Sequence, residues 1–231
     1  MWHWMWISES MVKMKEINIG VVLAGGRGNR YGSNVPKQYL QLANHEVINY
    51  AINALKNSNV IDVIVVACDK QYQERIRKQY DVEVSDGGDT RNITVQNTLD
   101  YINKNYTNVK KIIFVDSARP LCRGVDVVEC IKALDHNDSV ITGQKITDSL
   151  GSYTCRNLNR EDYYLVQTPE AFRYDVINHN FDINSTCTAL YQQIPEDSSL
   201  YVYFGMKNNM KITYPGDIGY IENNFADMLE K

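Results

Sequence analysis

The feature that most constrains the fold of this chain is a short apolar run near its start that breaks into glycines. Residues 19–24 are mostly apolar and rich in β-branched side chains, a pattern typical of a buried strand. The residues that follow include four glycines and three cations: Gly25, Gly26, Gly28, Gly32, Arg27, Arg30 and Lys37. Glycines let backbone amides approach a ligand closely, and nearby cations share its negative charge. The stretch therefore predicts a strand followed by a polyphosphate-binding loop.

This loop departs from two common nucleotide-binding patterns. A P-loop ends in Gly-Lys-Ser or Gly-Lys-Thr, and no such run occurs in the chain. Gly26 and Gly28 match the first two glycines of the dinucleotide fingerprint, but Tyr31 stands at the third position and Gly32 comes one place late. An ordinary glycine-rich turn is the structural alternative. The preceding strand and the following Pro36 and Lys37 argue against it.

Composition limits the class of protein. A length of 231 residues with 44% hydrophobic residues fits one domain with a substantial core. The net charge of −4 argues against a nonspecific nucleic-acid binder, and no apolar run reaches the ~20 residues of a membrane span. The five cysteines form no Cys-x-x-Cys pair, and with only four histidines they indicate neither a zinc site nor a disulfide framework. A reducing, cytoplasmic location is the expectation.

The first residues differ from the rest. Residues 1–16 contain all three tryptophans of the chain and lack the pattern of a signal peptide. We expect a disordered leader over residues 1–16, with a membrane-surface or partner-binding tag as the alternative. Because Met11 and Met14 follow, translation could also start later. Residues 17–231 are expected to form a single domain without internal repeats.

Apolar patterning predicts alternating strands and helices. Helical spacing predicts helices over residues 47–55, 70–80, 95–103 and 169–181, the last entered through Thr168 and Pro169, and a final helix opened by Pro215. Strands are predicted over residues 60–67, 82–84, 111–115, 139–142, 149–154, 163–166 and 200–204. This alternation indicates an α/β protein with a doubly wound, mostly parallel sheet, extended by a β-hairpin arm within residues 143–167.

The predicted sheet brings chemistry to one edge. The glycine loop, residues 87–94 and residues 116–119 each follow a predicted strand. Because ligands of such sheets bind at the carboxyl ends of the strands, we expect these segments to line one crevice. Asp116, directly after an apolar strand, is a candidate Mg²⁺ ligand beside nucleotide phosphates. The alternative is that Asp116 caps a turn.

The order of motifs resembles the sugar-alcohol-phosphate cytidylyltransferases, a family that includes the methylerythritol 4-phosphate and ribitol 5-phosphate enzymes. The resemblance covers residues 18–228. Its motifs are Leu23-Ala-Gly-Gly-Arg-Gly-Asn-Arg30, Pro36-Lys-Gln38, Gly87-Gly-Asp-Thr-Arg91, Asp116-Ser-Ala-Arg-Pro120, Thr147-Asp148, Gln167-Thr-Pro169 and Met210-Lys-Ile-Thr213. It implies a Rossmann-like fold of the nucleotide-diphospho-sugar transferase type and a CTP-dependent nucleotidyltransferase.

The resemblance also implies roles for individual residues. Catalysis by charge stabilisation would fall to Arg30, Lys37 and Lys211. CTP would be held by Ala24, Gly25, Gly26 and Gly28, with Gly88, Asp89 and Thr94 reading the cytosine. The alditol-phosphate side would be lined by Arg119, Thr147, Asp148, Arg160 and Thr168, and Mg²⁺ would bind Asp116. From the residues alone, Lys211 could instead be an exposed lysine and Arg119 a surface cap.

The expected reaction is transfer of CMP from CTP to an alditol phosphate with release of pyrophosphate. The Leu-Ala-Gly-Gly start and the Arg91-Asn92 pair resemble the ribitol-phosphate branch of the family more than its isoprenoid branch. This resemblance implies D-ribitol 5-phosphate as the acceptor, giving CDP-ribitol for a cell-wall or capsule polymer. The alternatives are 2-C-methyl-D-erythritol 4-phosphate in isoprenoid synthesis and a noncatalytic nucleotide-binding module. Glu170 and the segment of Ser185 and Thr186 depart from the family pattern on the substrate side. The arm within residues 143–167 resembles the family's dimerisation segment, so a homodimer is expected.

Overall fold

The computed structural model describes residues 15–26, 31–32 and 35–229. The leader predicted over residues 1–16 therefore lies outside the described residues except for its last two positions, and so do Gly28 and Arg30. The described strands are β1 (Ile17–Leu23), β2 (Gln41–Leu42), β3 (His45–Glu46), β4 (Val63–Cys68), β5 (Glu83–Asp86), β6 (Val109–Asp116), β7 (Ser139–Lys145), β8 (Tyr164–Arg173) and β9 (Leu200–Tyr203). The described α-helices are α1 (Val47–Ser58), α2 (Lys70–Tyr80), α3 (Arg91–Asn105), α4 (Gly124–Ala133), α5 (Tyr174–Asn180) and α6 (Gly216–Leu229).

Seven strands form one sheet in the order β5-β4-β1-β6-β8-β7-β9. β1 pairs in parallel with both β4 and β6, and β4 pairs in parallel with β5. Within this seven-stranded sheet, as far as the structure describes it, β8 alone runs antiparallel to its neighbours, β6 and β7. Strands β1, β4, β5 and β6 therefore end at the same edge, which confirms the predicted α/β fold with a doubly wound, mostly parallel sheet.

Both faces of the sheet are covered by helices. The side chains of Val22 and Val115 pack in a core with α1, α2 and α4, whereas Val21 and Phe114 pack in a second core with α3 and α5. The alternation follows from the strand period of two, which sends successive side chains to opposite faces. Near-continuous apolar runs are what a sheet buried on both faces requires.

A third, smaller core lies beyond the carboxyl ends of the strands. It joins Leu42 and Tyr50 to Ala118, Ile212 and residues of α6. The N–H of Ile212 also donates to the carbonyl of Ala118 at 2.9 Å. This packing fixes the segment that contains Lys211 against the loop that follows β6.

Side-chain caps begin the two helices that follow β4 and β5. The Asp69 carboxylate accepts from the N–H of Gln71 at the start of α2, and the Thr90 hydroxyl accepts from the N–H of Ile93 at the start of α3. Each cap satisfies a backbone donor that has no partner inside its helix. Across the described residues, no helix combines the length and apolar character needed to cross a membrane.

Two predicted elements are wrong. The helix predicted over residues 169–181 begins only at Tyr174, because residues 169–173 continue β8 and pair with β6 and β7. Pro169, which mimicked the first residue of a helix, instead lies at an irregularity where the register of β8 against β7 shifts, after a cis Thr168-Pro169 peptide bond. The strand predicted over residues 149–154 consists of bends and irregular backbone, whereas the predicted hairpin is formed by β7 and β8.

Candidate functional site

A cleft of about 550 Å³ lies at the carboxyl ends of β1, β5 and β6. It is lined by Leu23, Gly25, Gly26, Tyr31, Lys37, Gln38, Gly88, Asp89, Thr90, Arg91, Thr94, Asp116, Ser117, Ala118, Lys211 and Thr213. The three segments expected to converge after their strands all contribute to this lining. The strand-end rule therefore located the cleft correctly.

The described start of the glycine loop, Gly25 and Gly26, forms one wall. A Cβ atom at Gly25 would lie 2.8 Å from the Thr94 hydroxyl and 3.2 Å from Gly87 Cα, so the approach of the loop to the opposite wall requires glycine. A Cβ at Gly26 would meet nothing within 4 Å, because this residue faces open space. Ala24, which is buried beside the loop, donates its N–H to the carbonyl of Ala67 and so joins the loop to β4.

The segment between β5 and α3 forms the opposite wall. The hydroxyl of Thr94 accepts from the N–H of Gly88 at 3.0 Å and donates to the carbonyl of Thr90 at 2.9 Å. One buried side chain thus holds the turn that presents Gly88 and Asp89 to the cleft. The three residues predicted to read the cytosine lie together, with Thr94 in the supporting position.

Asp116 is the more buried of the two carboxylates, Asp116 and Asp89, among the described residues that line the cleft. Its carboxylate pairs with Lys211 Nζ at 2.7 Å and lies 3.6 Å from Arg119 Nε. Burial by itself would raise the pKa of the Asp116 carboxyl, but the charges of Lys211, Arg119 and Arg91 outweigh it and lower that pKa to about 2. Asp116 is therefore ionised at neutral pH, within a group of three cations.

Lys37 and Lys211 meet at the same part of the cleft. Lys37 Nζ donates to the carbonyl of Ile212, the residue after Lys211, at 2.5 Å. The ammonium groups reach the cleft from positions that are 174 residues apart in the sequence. Two converging cations beside a carboxylate suit a ligand that carries several phosphates.

Two residues expected on the alditol-phosphate side lie directly behind Asp116. The Thr168 hydroxyl accepts from the N–H of Asp116 at 3.1 Å, and Arg119 Nη1 donates to the carbonyl of Asn209 at 2.6 Å. Both Thr168 and Arg119 are buried, and Asn209 also donates to the carbonyl of Thr168 at 2.8 Å. In this structure they support Asp116 and are not part of the cleft lining.

The other three residues expected on that side lie elsewhere. Thr147, Asp148 and Arg160 are exposed on the arm and do not line the cleft. Arg160 Nη1 donates to the carbonyl of Thr147 at 2.6 Å, which joins the two sides of the arm. The arm therefore presents these side chains outside the cleft of its own chain.

Sequence reasoning named several cleft-lining residues in no binding or catalytic role, among them Gln38 and Arg91. Gln38 is buried, and its amide donates to the carbonyls of Ala24 at 2.8 Å and Gly26 at 3.0 Å. Arg91 lines the cleft and pairs with Glu170 at 2.8 Å. Gln38 is next to Lys37 and Arg91 is close to Asp89, and both lie within the family motifs. This adjacency to predicted site residues could have indicated that they lie in the cleft.

Comparisons with known proteins identify the family of this chain. The family model for IspD, 2-C-methyl-D-erythritol 4-phosphate cytidylyltransferase, matches residues 19–225. The chain is 31% identical over 170 residues to the 2-C-methyl-D-erythritol 4-phosphate cytidylyltransferase of Thermotoga neapolitana, covering 70% of this chain and 75% of the relative. It is 29% identical over 221 residues to the enzyme of the same name from Lachnoclostridium phytofermentans, covering 87% and 93%.

A solved structure agrees in fold. The 4-diphosphocytidyl-2C-methyl-D-erythritol synthase of Anaerococcus prevotii superimposes with a TM-score of 0.77 at 21% identity, covering 91% of this chain and 99% of that one. At this identity the likeness bears on the fold alone.

Proposed function

We propose that this chain, which belongs to the 2-C-methyl-D-erythritol 4-phosphate cytidylyltransferase family, transfers CMP from CTP to 2-C-methyl-D-erythritol 4-phosphate, a tetritol phosphate. Membership in the family makes the chain a CTP-dependent nucleotidyltransferase. The relatives reported above are named for the tetritol substrate, which favours it over the ribitol 5-phosphate expected from the sequence. The observation that carries the proposal is the convergence of Lys37, Lys211 and Asp116 with the glycine loop in one cleft.

The proposed chemistry needs no nucleophile from the protein. A phosphate oxygen of the tetritol attacks the α-phosphorus of CTP, a new P–O bond forms, and the bond to the β-phosphate breaks with its electron pair leaving on pyrophosphate. Negative charge grows on the oxygens around the α-phosphorus. The ammonium groups of Lys37 and Lys211 would stabilise that charge, together with Arg30, which lies outside the described residues.

We propose Mg²⁺ as the metal. The described residues hold no cluster of three or more His, Cys, Asp or Glu side chains that could bind a metal by themselves. Mg²⁺, however, is commonly held by one or two carboxylates together with substrate phosphates and water, and the ionised Asp116 at the cleft fits that role. When bound, the ion would neutralise charge on the phosphate oxygens.

The proposal includes a homodimer. Tyr153, Tyr163 and Leu165 on the arm are exposed apolar side chains, and so are Tyr201 and Phe204 at the neighbouring β9 edge of the sheet. Such a patch is typical of a protein interface. In a dimer, the arm of one protomer could bring Thr147, Asp148 and Arg160 to the cleft of its partner, since these residues do not line their own. A reducing, cytoplasmic setting is also proposed, supported by five free thiols.

Pyrophosphate release from CTP and Mg²⁺ tests the acceptor. We expect turnover with 2-C-methyl-D-erythritol 4-phosphate and little with ribitol 5-phosphate. Turnover of ribitol 5-phosphate alone would restore the acceptor expected from the sequence. No pyrophosphate release with either acceptor, despite CTP binding, would favour a noncatalytic nucleotide-binding module.

A lysine pair provides the matched mutational test of the same reaction. Lys211→Ala removes a cleft cation and should lower kcat by about 100-fold or more, the usual cost of losing one electrostatic contact to a transition state. Lys207→Ala, at an exposed position on the preceding loop, should leave kcat unchanged. Equal effects of the two substitutions would contradict the role given to Lys211.

A further inference from the structure

We propose that Glu170 is a positioning residue for the nucleotide wall of the cleft, acting through its ion pair with Arg91. The inference rests on the proposed function, because it concerns the site that would bind CTP. Glu170 Oε1 accepts from Arg91 Nη2 at 2.8 Å. Arg91 is the first residue of α3 and lines the cleft next to Thr90 and Asp89. The ion pair therefore joins β8 to the point where the nucleotide wall passes into its helix.

Burial makes Glu170 unusual. Its side chain is 2% exposed, whereas that of Arg91 is 31% exposed. A buried carboxylate is retained at a cost in solvation unless a cation and hydrogen bonds compensate it. Arg91 provides the charge, and the N–H of Tyr191 donates to the second oxygen at 3.1 Å. Both oxygens of Glu170 are thus used, one toward the cleft wall and one toward the segment after α5.

The next residue of α3 is anchored to the same half of the molecule. Asn92 Nδ2 donates to the carbonyl of Ser185 at 2.8 Å and to that of Ile183 at 3.3 Å. The first residue of α3 is therefore tied to β8 and the second to the chain that follows α5. With Thr94 holding Gly88 from within, the turn is fixed from two sides.

Glu170 also shares its strand with Thr168, whose hydroxyl holds the backbone of Asp116. In the sheet register, Glu170 pairs with Phe114, two residues before Asp116. One short stretch of β8 therefore supports both the nucleotide wall, through Arg91, and the proposed metal ligand. Loss of the Glu170 charge should let the first turn of α3 move relative to Asp116 and weaken nucleotide binding.

The test is a double-mutant cycle on CTP affinity, measured by isothermal titration calorimetry with CTP and Mg²⁺ and without an acceptor. Glu170→Gln keeps the side-chain size but removes the charge, and should weaken CTP binding by about 3- to 10-fold, as loss of one charged hydrogen bond does. Arg91→Met should weaken it at least as much. If Glu170 acts through Arg91, the double variant should bind CTP no more than about twofold worse than Arg91→Met.

Two outcomes of the cycle would overturn the proposal: multiplicative losses of CTP affinity in the double variant, or unchanged CTP affinity in both single variants. Arg91→Lys, at a partly exposed position, keeps the charge without the guanidinium fork and should restore part of the affinity lost in Arg91→Met. If Glu170→Gln fails to fold, Arg91→Lys still tests the ion pair, and no recovery of CTP affinity in this variant would overturn the proposal. Asp135→Asn, which breaks the Lys111–Asp135 pair at the other end of β6, is the control and should leave CTP binding unchanged. Because no acceptor is present, failure of this test is separate from failure of the proposed acceptor.

Discussion

The amide of Gln38 holds the carbonyl groups of Ala24 and Gly26, on either side of Gly25. A carbonyl oxygen that faced the cleft would repel the phosphates of a nucleotide. Because Gln38 donates to both oxygens, it keeps their negative ends directed at itself. This single side chain therefore links the 3₁₀ turn that carries Lys37 to the conformation of the glycine loop.

Gln38→Met tests that link. Methionine has similar length and no donor, so the two carbonyls lose their partner and the loop loses its fixed conformation. We expect CTP affinity to fall by about tenfold, in line with the cost of leaving buried polar groups unsatisfied. Calorimetric titration with CTP gives the measurement. Gln71→Met, at an exposed position on α2, is the control, and equal affinities for the two variants would refute the role of Gln38.

At the scale of single residues, the sequence predicted positions that depend on local rules. Gly25, Asp89 and Asp116 follow strands, so their convergence could be predicted from topology alone. The pair of Arg91 and Glu170 could not, since its members are separated by 79 positions and meet only because β8 lies beside β6. The burial of Arg119 behind Asp116 could not be predicted either, because it depends on a contact with Asn209, 90 residues away.

Among the elements, the arm has the least support from the rest of the sheet in the described part of the chain. Its two sides pair only with each other near the tip, as at Gly143 with Val166 and Lys145 with Tyr164. Leu165 and Tyr163 lie on it with about half of their surface exposed. An apolar hairpin that extends from its domain is stabilised when a second surface covers it.

Leu165→Asp tests whether the arm forms a dimer. A carboxylate in an apolar contact loses hydration without compensation, so association should weaken strongly. We expect analytical ultracentrifugation to give a dimer for the unmodified protein and a monomer for Leu165→Asp at micromolar concentration. Val125→Asp introduces the same charge at a residue of similar exposure on α4 and should remain dimeric. A monomeric unmodified protein would refute the proposed homodimer.

The elements also show which sequence signals are strong. Residues 70–80 were predicted to be helical and form α2 with those bounds, because the helical spacing was clear and Asp69 provides a cap. Residues 169–173 were misread, because Thr168 and Pro169 have the local pattern of a helix start. Pairing with β6 on one side and β7 on the other outweighed that signal, and tertiary context of this kind is absent from a local window.

For the whole molecule, acid should be destabilising. The pKa values of Asp62, Asp116, Asp135 and Asp138 are lowered from the ordinary value of 3.8, in each case with a nearby cation or hydrogen-bond donor contributing. The unfolded chain therefore binds protons more readily than the folded one as the pH falls through this range. The stability that these groups provide is fully present from about pH 5 upward, well above the unfolded pKa of 3.8, and is lost progressively as the pH falls through the lowered pKa values of the folded state. Glu170, whose pKa is raised by burial, acts in the opposite direction.

Urea unfolding between pH 6 and pH 3 measures this dependence. The free energy of unfolding should fall toward pH 3. Asp138 accepts from the N–H and the hydroxyl of Ser199, which lowers its pKa and ties β9 to the sheet. Asp138→Asn should therefore cost about 1 kcal/mol at pH 6 and show a weaker pH dependence. An unchanged slope would show that Asp138 titrates alike in both states.

The place of β8 between β6 and β7 has a consequence during synthesis. Once β6 has been made, one of its edges lacks a partner until β8 emerges, 48 residues after Asp116. That edge includes Ile112 to Val115, an apolar run of the kind that recruits other chains into aggregates. Lys110 and Lys111 flank it on one side and Asp116 on the other. Charges at both ends of an unpaired edge oppose aggregation, so we expect Lys110, Lys111 and Asp116 to disfavour aggregation of the nascent chain.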